Sequence, residues 1–454
     1  FSGGAMDRVL MRDLAAWKNS PQRKPLLLDG PRRVGKTSLV KEFGRRYFRH
    51  TAYVDLAESP GMRQVFEEDY DIRRVLLSIN AETGAEITPD TLIILDEIQE
   101  APKVISALKS FQEYTPRYPV IASGTLSGTV FRQSLSYPVG KIDRLRLHPL
   151  SFYEFLNATG DEGLAKLLDA GDWPLISAFR DRFEFALKNY FFVGRIPECV
   201  KVFTETRDYG KVRSTQRGVL SFYEEDFGKR FKGKEADTAR LIWRSIPGQL
   251  AKKNKKFVFS EARKHSRAAD FESVCHTLSE SGVMTRVPRV SKPSLPLSAF
   301  EEPHAYKLFL PDVGLLNAAS SIDARVILEE NRLFRELLGG LTQQYVCQQL
   351  ISESSYKPRF YLSENGRYAM DFMIHAGNEV FPIEVTADVN PKSKRLRAYF
   401  DQYHPAKAIR FSLADYRDDG WRINIPLFAM HTALTHKAPG FSPRAQAPDP
   451  GAKL

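Results

Sequence analysis

One stretch near the start of the chain has the residue types and spacing that a nucleoside triphosphate requires. It comprises Gly30, Pro31, Arg32, Arg33, Val34, Gly35, Lys36, Thr37 and Ser38, inside the string LLLDGPRRVGKTSLV at 26–40. Glycines let backbone N–H groups turn toward phosphate oxygens, a lysine at this interval reaches the β and γ oxygens, and the hydroxyl of Thr37 suits Mg²⁺. A helix beginning at Lys36 would add its positive N-terminal end beneath the anion. The apolar run before the loop predicts a strand, and the amphipathic pattern after it predicts a helix. Binding of ATP is the chemistry expected here.

A second string, TLIILDEIQ at 91–99, supplies carboxylates. Its consecutive apolar residues predict a parallel strand covered on both faces. Asp96 and Glu97 then emerge at the strand's C-terminal end, where ligands sit in open α/β sheets. Asp96 is expected to hold Mg²⁺, through water, and Glu97 to act as general base toward an attacking water. A buried strand followed by a solvated acidic turn is the plainer alternative. Together with the P-loop, the pair implies hydrolysis as well as binding, with Lys36 and Glu97 as catalytic groups.

A third constellation lies in the C-terminal half, in AMDFMIHAGNEVFPIEVTAD. Asp371 and Glu384 fall on two predicted strands joined by a hairpin through Ala376, Gly377 and Asn378. That spacing brings both acids to one edge of a sheet. It resembles the core of restriction-like nucleases, where two acids bind Mg²⁺ and a lysine helps to activate water. Thr386 occupies the lysine position.

These motifs need a scaffold, and the chain is long enough for several domains. At 454 residues, with 43% hydrophobic and 27% charged residues, it has the composition of a globular protein with more than one core. No run of about 18 apolar residues suggests a membrane span. No signal-peptide core is apparent, and residues 1–5 read as a non-native leader ahead of Met6. Cys199, Cys275 and Cys347 lack metal or disulfide spacing, which fits buried thiols and a cytoplasmic location. The net charge of +11 favours contact with polyanions.

The expected fold class is α/β: a P-loop domain with a parallel sheet at 6–156, a helical lid or connector at 157–234, a winged-helix-like domain at 235–325, and an α/β restriction-endonuclease-like domain at 326–435. A polar tail at 436–454 reads as disordered. In the winged-helix region, helices are expected at 237–250, 260–266 and 269–281, with a wing strand at 283–290. The basic run Lys252, Lys253, Lys255 and Lys256, with Arg263, Lys264 and Arg267 nearby, could grip the phosphates of DNA or RNA. The third helix is acidic, with Asp270, Glu272 and Glu280, which suits packing or a protein partner better than base readout.

Taken together, RKPLLLDGPRRVGKTSLV, LIILDEIQEAP, ASGTLSG, YPVGKIDRLRLHPLSFYEFL, VGRIPECV, YKLFLPDVGLL and FPIEVTAD occur in the order found in one group of proteins. The chain resembles prokaryotic AAA-superfamily ATPases that join a P-loop domain to a winged helix and a nuclease-like domain. That resemblance implies an ATPase, and it implies a γ-phosphate sensor at the end of the strand 119–123, with Ser123 or Thr125 the candidate and a plain strand-end turn the other reading. It also implies an arginine facing the γ-phosphate from a neighbouring subunit. Lys141 stands where many relatives carry arginine, and Arg144 is the candidate, ahead of Arg146; a surface strand arginine is the other reading. Oligomeric state does not follow from the sequence.

Departures from the pattern bear on the nuclease-like part. Gln343 and Gln344 precede Tyr345-Val346 where the group carries Glu-Asn, Ala369 stands where Glu is usual, and Thr386 replaces lysine. Lys392 or Lys394 could substitute, or could simply begin a solvated helix. The expected function is therefore a nucleotide-controlled switch with Mg-dependent ATPase activity, its C-terminal domains contacting nucleic acid or a protein. The competing readings are an ATP-regulated metal-dependent nuclease and an interaction scaffold that nucleotide merely stabilises.

Overall fold

Leu26, Leu27 and Leu28 have no polar face to offer water, and the chain makes them a central strand. The computed structural model describes residues 6–68, 71–126, 140–252, 255–263, 269, 271–328, 332–390 and 392–435. Ser127, Lys253, Lys264, Arg267 and Asp270, the leader at 1–5 and the tail at 436–454 lie outside the described residues. The chain divides into two compact units, split between His148 and Pro149.

The first unit is a parallel α/β sheet. Its strands are β1 (Leu26–Asp29), β2 (His50–Asp55), β3 (Thr91–Asp96), β4 (Val120–Gly124) and β5 (Asp143–Arg146), in the order β2-β3-β4-β1-β5. Every pairing is parallel. Alternate residues feed separate cores on the two faces: Leu27, Ile93, Leu95, Val120 and Ala122 on one, Leu26, Leu28, Leu92, Ile94 and Ile121 on the other. Burial on both faces is why these strands read as unbroken apolar runs. Because β4 lies between β1 and β3, the loops leaving β1 and β3 rise on either side of it, the crevice where α/β sheets hold ligands.

The second unit begins with helices, among them Phe152–Thr159, Arg180–Val193, Pro197–Thr206, Tyr209–Arg230 and Lys234–Leu250. A capping box starts the first of these: Ser151 Oγ accepts from Glu154 N, and the Glu154 carboxylate accepts from Ser151 N. Phe152 and Phe155 then pack edge-on against Tyr190, with ring centroids 5.6 and 5.1 Å away. This packing places the Phe152–Thr159 helix in the second unit.

An eight-stranded mixed sheet follows: β6 (Thr285–Val290), β7 (Glu301–Phe309), β8 (Arg359–Leu362), β9 (Ala369–Ala376), β10 (Glu379–Val385), β11 (Ala408–Ser412), β12 (Arg417–Asp418) and β13 (Arg422–Pro426), ordered β12-β13-β11-β10-β9-β8-β6-β7. The strand expected as a wing at 283–290 is β6, and it is part of this sheet. Strand β6 pairs in parallel with β8, Val290 opposite Tyr361, and Val290 shares a core with Tyr361, Met370, Met373 and Tyr399. A β6–β7 hairpin alone would leave an edge and an apolar face exposed; joining β8 covers both. The helix expected at 260–266 is the short turn Phe259–Ala262, that at 269–281 is Glu272–Glu280, and a long helix, Arg332–Glu353, follows. Among the described residues no helix is long and apolar enough to cross a membrane.

Candidate nucleotide site

The loop after β1 has the backbone its sequence demands. Gly35 takes φ +90° as it caps the helix Lys36–Tyr47, and Arg33 is also left-handed at φ +64°. At Gly30 a Cβ would stand 2.4 Å from the Leu147 carbonyl oxygen, so only glycine fits. Val34 is fully buried in the core, which leaves its backbone, not its side chain, to face a ligand. Ser38 is exposed in the helix's first turn, where N–H groups lack intrahelical partners.

Lys36 is nearly buried, and its ammonium donates to Gly30 O and Pro31 O at 2.9 Å and to Thr125 Oγ1 at 3.0 Å. Burial pulls its pKa down to about 8, against the opposing pull of Glu97, Asp29 and Asp96. Thr37 Oγ1 donates to Asp96 Oδ2 at 2.6 Å. The remaining donors to the fully buried Asp96 are the Tyr53 hydroxyl at 3.1 Å, the Ser123 hydroxyl and the Glu97 N–H at 3.0 Å. Four donors on one carboxylate fix its direction. Glu97 has left-handed backbone, φ +54°, just outside β3, and its side chain accepts from Gln99 Nε2.

Arg144 lies on β5 beside β1 and donates to the buried Asp29 carboxylate at 2.9 Å; Arg146 reaches the same oxygen at 3.6 Å. Lys141 pairs with Glu113 at 3.6 Å. The fold thus brings Lys36, Thr37, Asp96, Glu97, Ser123 and Thr125 together, and engages Arg144 within its own chain. Sequence reasoning assigned no role to Tyr53, Asp29 or Gln99. Asp29 and Gln99 stood inside the motif strings, but only the sheet order shows whom they touch.

In the second unit, Ile383 pairs with Phe372 in the β9–β10 hairpin, which sets Glu384 opposite Asp371. Both acids are buried. Asp371 accepts from Gln343 Nε2 at 2.6 Å and from Val385 N at 2.9 Å. The Arg395 guanidinium bridges the pair, donating to Asp371 Oδ2 and, at 3.3 Å, to Glu384 Oε1. Ser393 Oγ and the buried Arg410, the latter at 3.5 Å, engage Glu384 Oε2. Lys307 donates to Gln343 Oε1 at 3.2 Å and to Asp371 O at 3.1 Å, and burial lowers its pKa to about 8. Thr386 Oγ1 accepts from Asp388 N at 3.2 Å, capping the turn after β10. Within the basic run, Lys252 pairs with Glu261 at 2.7 Å, and Lys255 is half-buried with its pKa lowered by desolvation. The sequence pointed to Lys392 and Lys394; Arg395, next in line, is the residue that reaches the acids. Among the described residues, no group of three or more His, Cys, Asp or Glu side chains is placed to hold a metal ion.

Residues 22–156 match the family model of an AAA domain, residues 184–326 a domain of unknown function (DUF8612), and residues 338–428 another (DUF4143). No curated protein matches the chain. Among solved structures, a Walker-type ATPase of Pyrococcus abyssi overlaps 70% of this chain and 96% of its own, at 16% identity and a TM-score of 0.43. The Orc1 protein of Aeropyrum pernix, solved in complex with DNA, overlaps 69% and 90%, at 15% identity and 0.27. A signal-transduction ATPase of Pyrococcus horikoshii with a tetratricopeptide repeat sensor overlaps 78% and 49%, at 12% identity and 0.26. The P-loop backbone, the buried acidic strand end and the match to the AAA-domain model at 22–156 all fall in one parallel α/β sheet of the P-loop kind.

Proposed function

We propose that the chain hydrolyses ATP with Mg²⁺ and works as a nucleotide-controlled switch whose second unit contacts a partner. The observation that carries this reading is the direct bond between Thr37 Oγ1 and Asp96 Oδ2, with the Lys36 ammonium also bonded at the site. A hydroxyl and a carboxylate side by side form the oxygen set that Mg²⁺ takes in P-loop sites. Thr37 and Asp96 would hold the ion, which would supply charge to neutralise the phosphates. Lys36 Nζ would exchange its carbonyl and hydroxyl acceptors for phosphate oxygens. Glu97 would take a proton from the attacking water at its carboxylate, and Ser123 and Thr125 would hold Asp96 and Lys36 in line.

For the second unit, the Arg395 bridge supports a structural role for Asp371 and Glu384 rather than metal-dependent nuclease chemistry. Both acids already face a resident cation, and Thr386 brings none. The engagement of Lys252 by Glu261 and the partial burial of Lys255 favour a protein over DNA or RNA as the partner. Purified full-length chain tests the whole reading through ATP turnover, measured alone and with DNA or RNA. Turnover should be present and should fall by roughly 10²-fold or more in Glu97→Gln, as for loss of a general base, with ATP binding spared. Turnover equal to the parent's in that variant would leave Glu97 a structural carboxylate. Stimulation by nucleic acid that is lost in Lys252→Glu/Lys256→Glu would reverse the preference for a protein partner.

A further inference from the structure

Gln99 occupies the turn Ile98–Glu100 directly after β3. Its Oε1 accepts from Thr125 N at 3.1 Å, and its Nε2 donates to Glu97 Oε2. Thr125 Oγ1 in turn accepts from Lys36 Nζ at 3.0 Å. Hydrogen bonds to the side chain and to the backbone of Thr125 thus link the P-loop cation, through that residue and Gln99, to the Glu97 carboxylate.

The direction of that chain is set by chemistry. A backbone N–H can only donate, so the amide oxygen of Gln99 must face Thr125, and the amide nitrogen is thereby turned on Glu97. An ionised carboxylate can only accept, which completes the match. Two backbone features hold the geometry. Glu97 is left-handed at φ +54°, and its carbonyl accepts from Glu100 N at 3.0 Å, closing the turn. Gly124 is the second: a Cβ there would stand 2.6 Å from Gln99 Oε1 and 2.9 Å from Ile98 Cγ1, so any larger residue displaces the amide.

We infer that Gln99 is a positioning residue for Glu97, coupling the orientation of that carboxylate to whatever Lys36 and Thr125 touch. Phosphate drawing Lys36 away from Thr125 Oγ1 alters the far end of the chain, and the rigid amide carries the change to Glu97. The inference rests on the ATPase reading above. It explains why glutamine suits this position: glutamate cannot donate to Glu97, and asparagine is one methylene too short to span both partners.

The test uses the full chain and compares the parent, Gln99→Ala, Gly124→Ala, Glu97→Gln and the double variant Gln99→Ala/Glu97→Gln. Gln99→Ala and Gly124→Ala should each lower kcat about tenfold, the size of a lost orienting contact, with ATP affinity by calorimetry unchanged within about twofold. The double variant should be no slower than Glu97→Gln alone, because Gln99 acts only through Glu97. ATP affinity falling in step with kcat, or a double variant about tenfold slower than Glu97→Gln, would overturn the inference. A parent without turnover defeats the ATPase reading instead. The side-chain amide signal of Gln99 in ¹⁵N spectra then decides independently: it should move on adding ADP and in Glu97→Gln, and a signal that stays put in both overturns the link.

Discussion

Thr37 donates its hydroxyl proton to Asp96 at 2.6 Å, although 59 residues of chain separate them. The bond joins the first turn of the P-loop helix to the end of β3, two strands away from β1 in the sheet. Strand β4 lies between them and contributes Ser123, which bonds the other Asp96 oxygen. The site is thus assembled across three strands.

Asp96→Asn removes the charge while keeping the shape. ATP affinity in the absence of Mg²⁺ should be little changed, and the gain in affinity or turnover on adding Mg²⁺ should be lost. Calorimetric titrations with and without the ion check this. An unchanged Mg²⁺ response would remove Asp96 from the metal site.

Lys36 makes a prediction about protons. Its pKa of about 8 in the protein alone lies below the ordinary lysine value because the group is buried. Phosphates favour the ammonium form, so above about pH 8 ATP binding should take up a proton and weaken by up to tenfold per pH unit, whereas near pH 7 the lysine is already charged. Calorimetry in buffers of different ionisation enthalpy reads the uptake. Lys36→Ala should abolish ATP binding altogether; retained affinity would sink the P-loop assignment.

Arg395→Ala should destabilise the second unit by about 1–3 kcal/mol. The guanidinium side chain is 41% exposed, which reduces the cost below that of breaking a fully buried pair, yet its loss leaves Asp371 and Glu384 facing each other without the cation that bridges them, with Arg410 still at Glu384 and Lys307 at the Asp371 carbonyl. Denaturant titration measures it. The parent should leave single- and double-stranded DNA uncut with Mg²⁺ or Mn²⁺, with or without ATP. Cleavage that disappears in Asp371→Ala and Glu384→Ala would restore the nuclease reading.

His431 gives the second unit a pH-dependent tie. It stacks on Tyr153 with centroids 4.1 Å apart and lies between Glu353, 3.0 Å from Nδ1, and Asp169, 3.4 Å from Nε2. Burial works against its charge, but Glu353 and Asp169 outweigh burial and raise the pKa to about 9. A histidine raised in the folded state stabilises fully below its ordinary value near 6.5 and loses that contribution as pH climbs through 9. Unfolding midpoints should fall between pH 6.5 and 9.5 by the equivalent of about 3 kcal/mol, and His431→Gln should flatten this dependence. A parent as pH-sensitive as the variant would refute it.

The chain's own order determined whatever is contiguous. A strand, a glycine loop and a helix follow one another at 26–47, so their P-loop geometry could be read directly, as could the apolar run that places Asp96 at a strand end. The Asp371–Glu384 hairpin was legible for the same reason: a short turn fixes register between neighbouring strands. Tertiary structure alone decided what crosses between elements. Tyr53 and Ser123 meet Asp96 because β2 and β4 flank β3; Gln99 meets Thr125 because Gly124 leaves room; Arg395 and Lys307 converge on the acids from a later helix and from β7. The β6–β7 hairpin joined the C-terminal sheet because pairing with β8 covers its edge and buries Val290. Such partners are set by sheet order and packing, which depend on many weak contacts spread over the whole chain, and no local spacing of residue types records them.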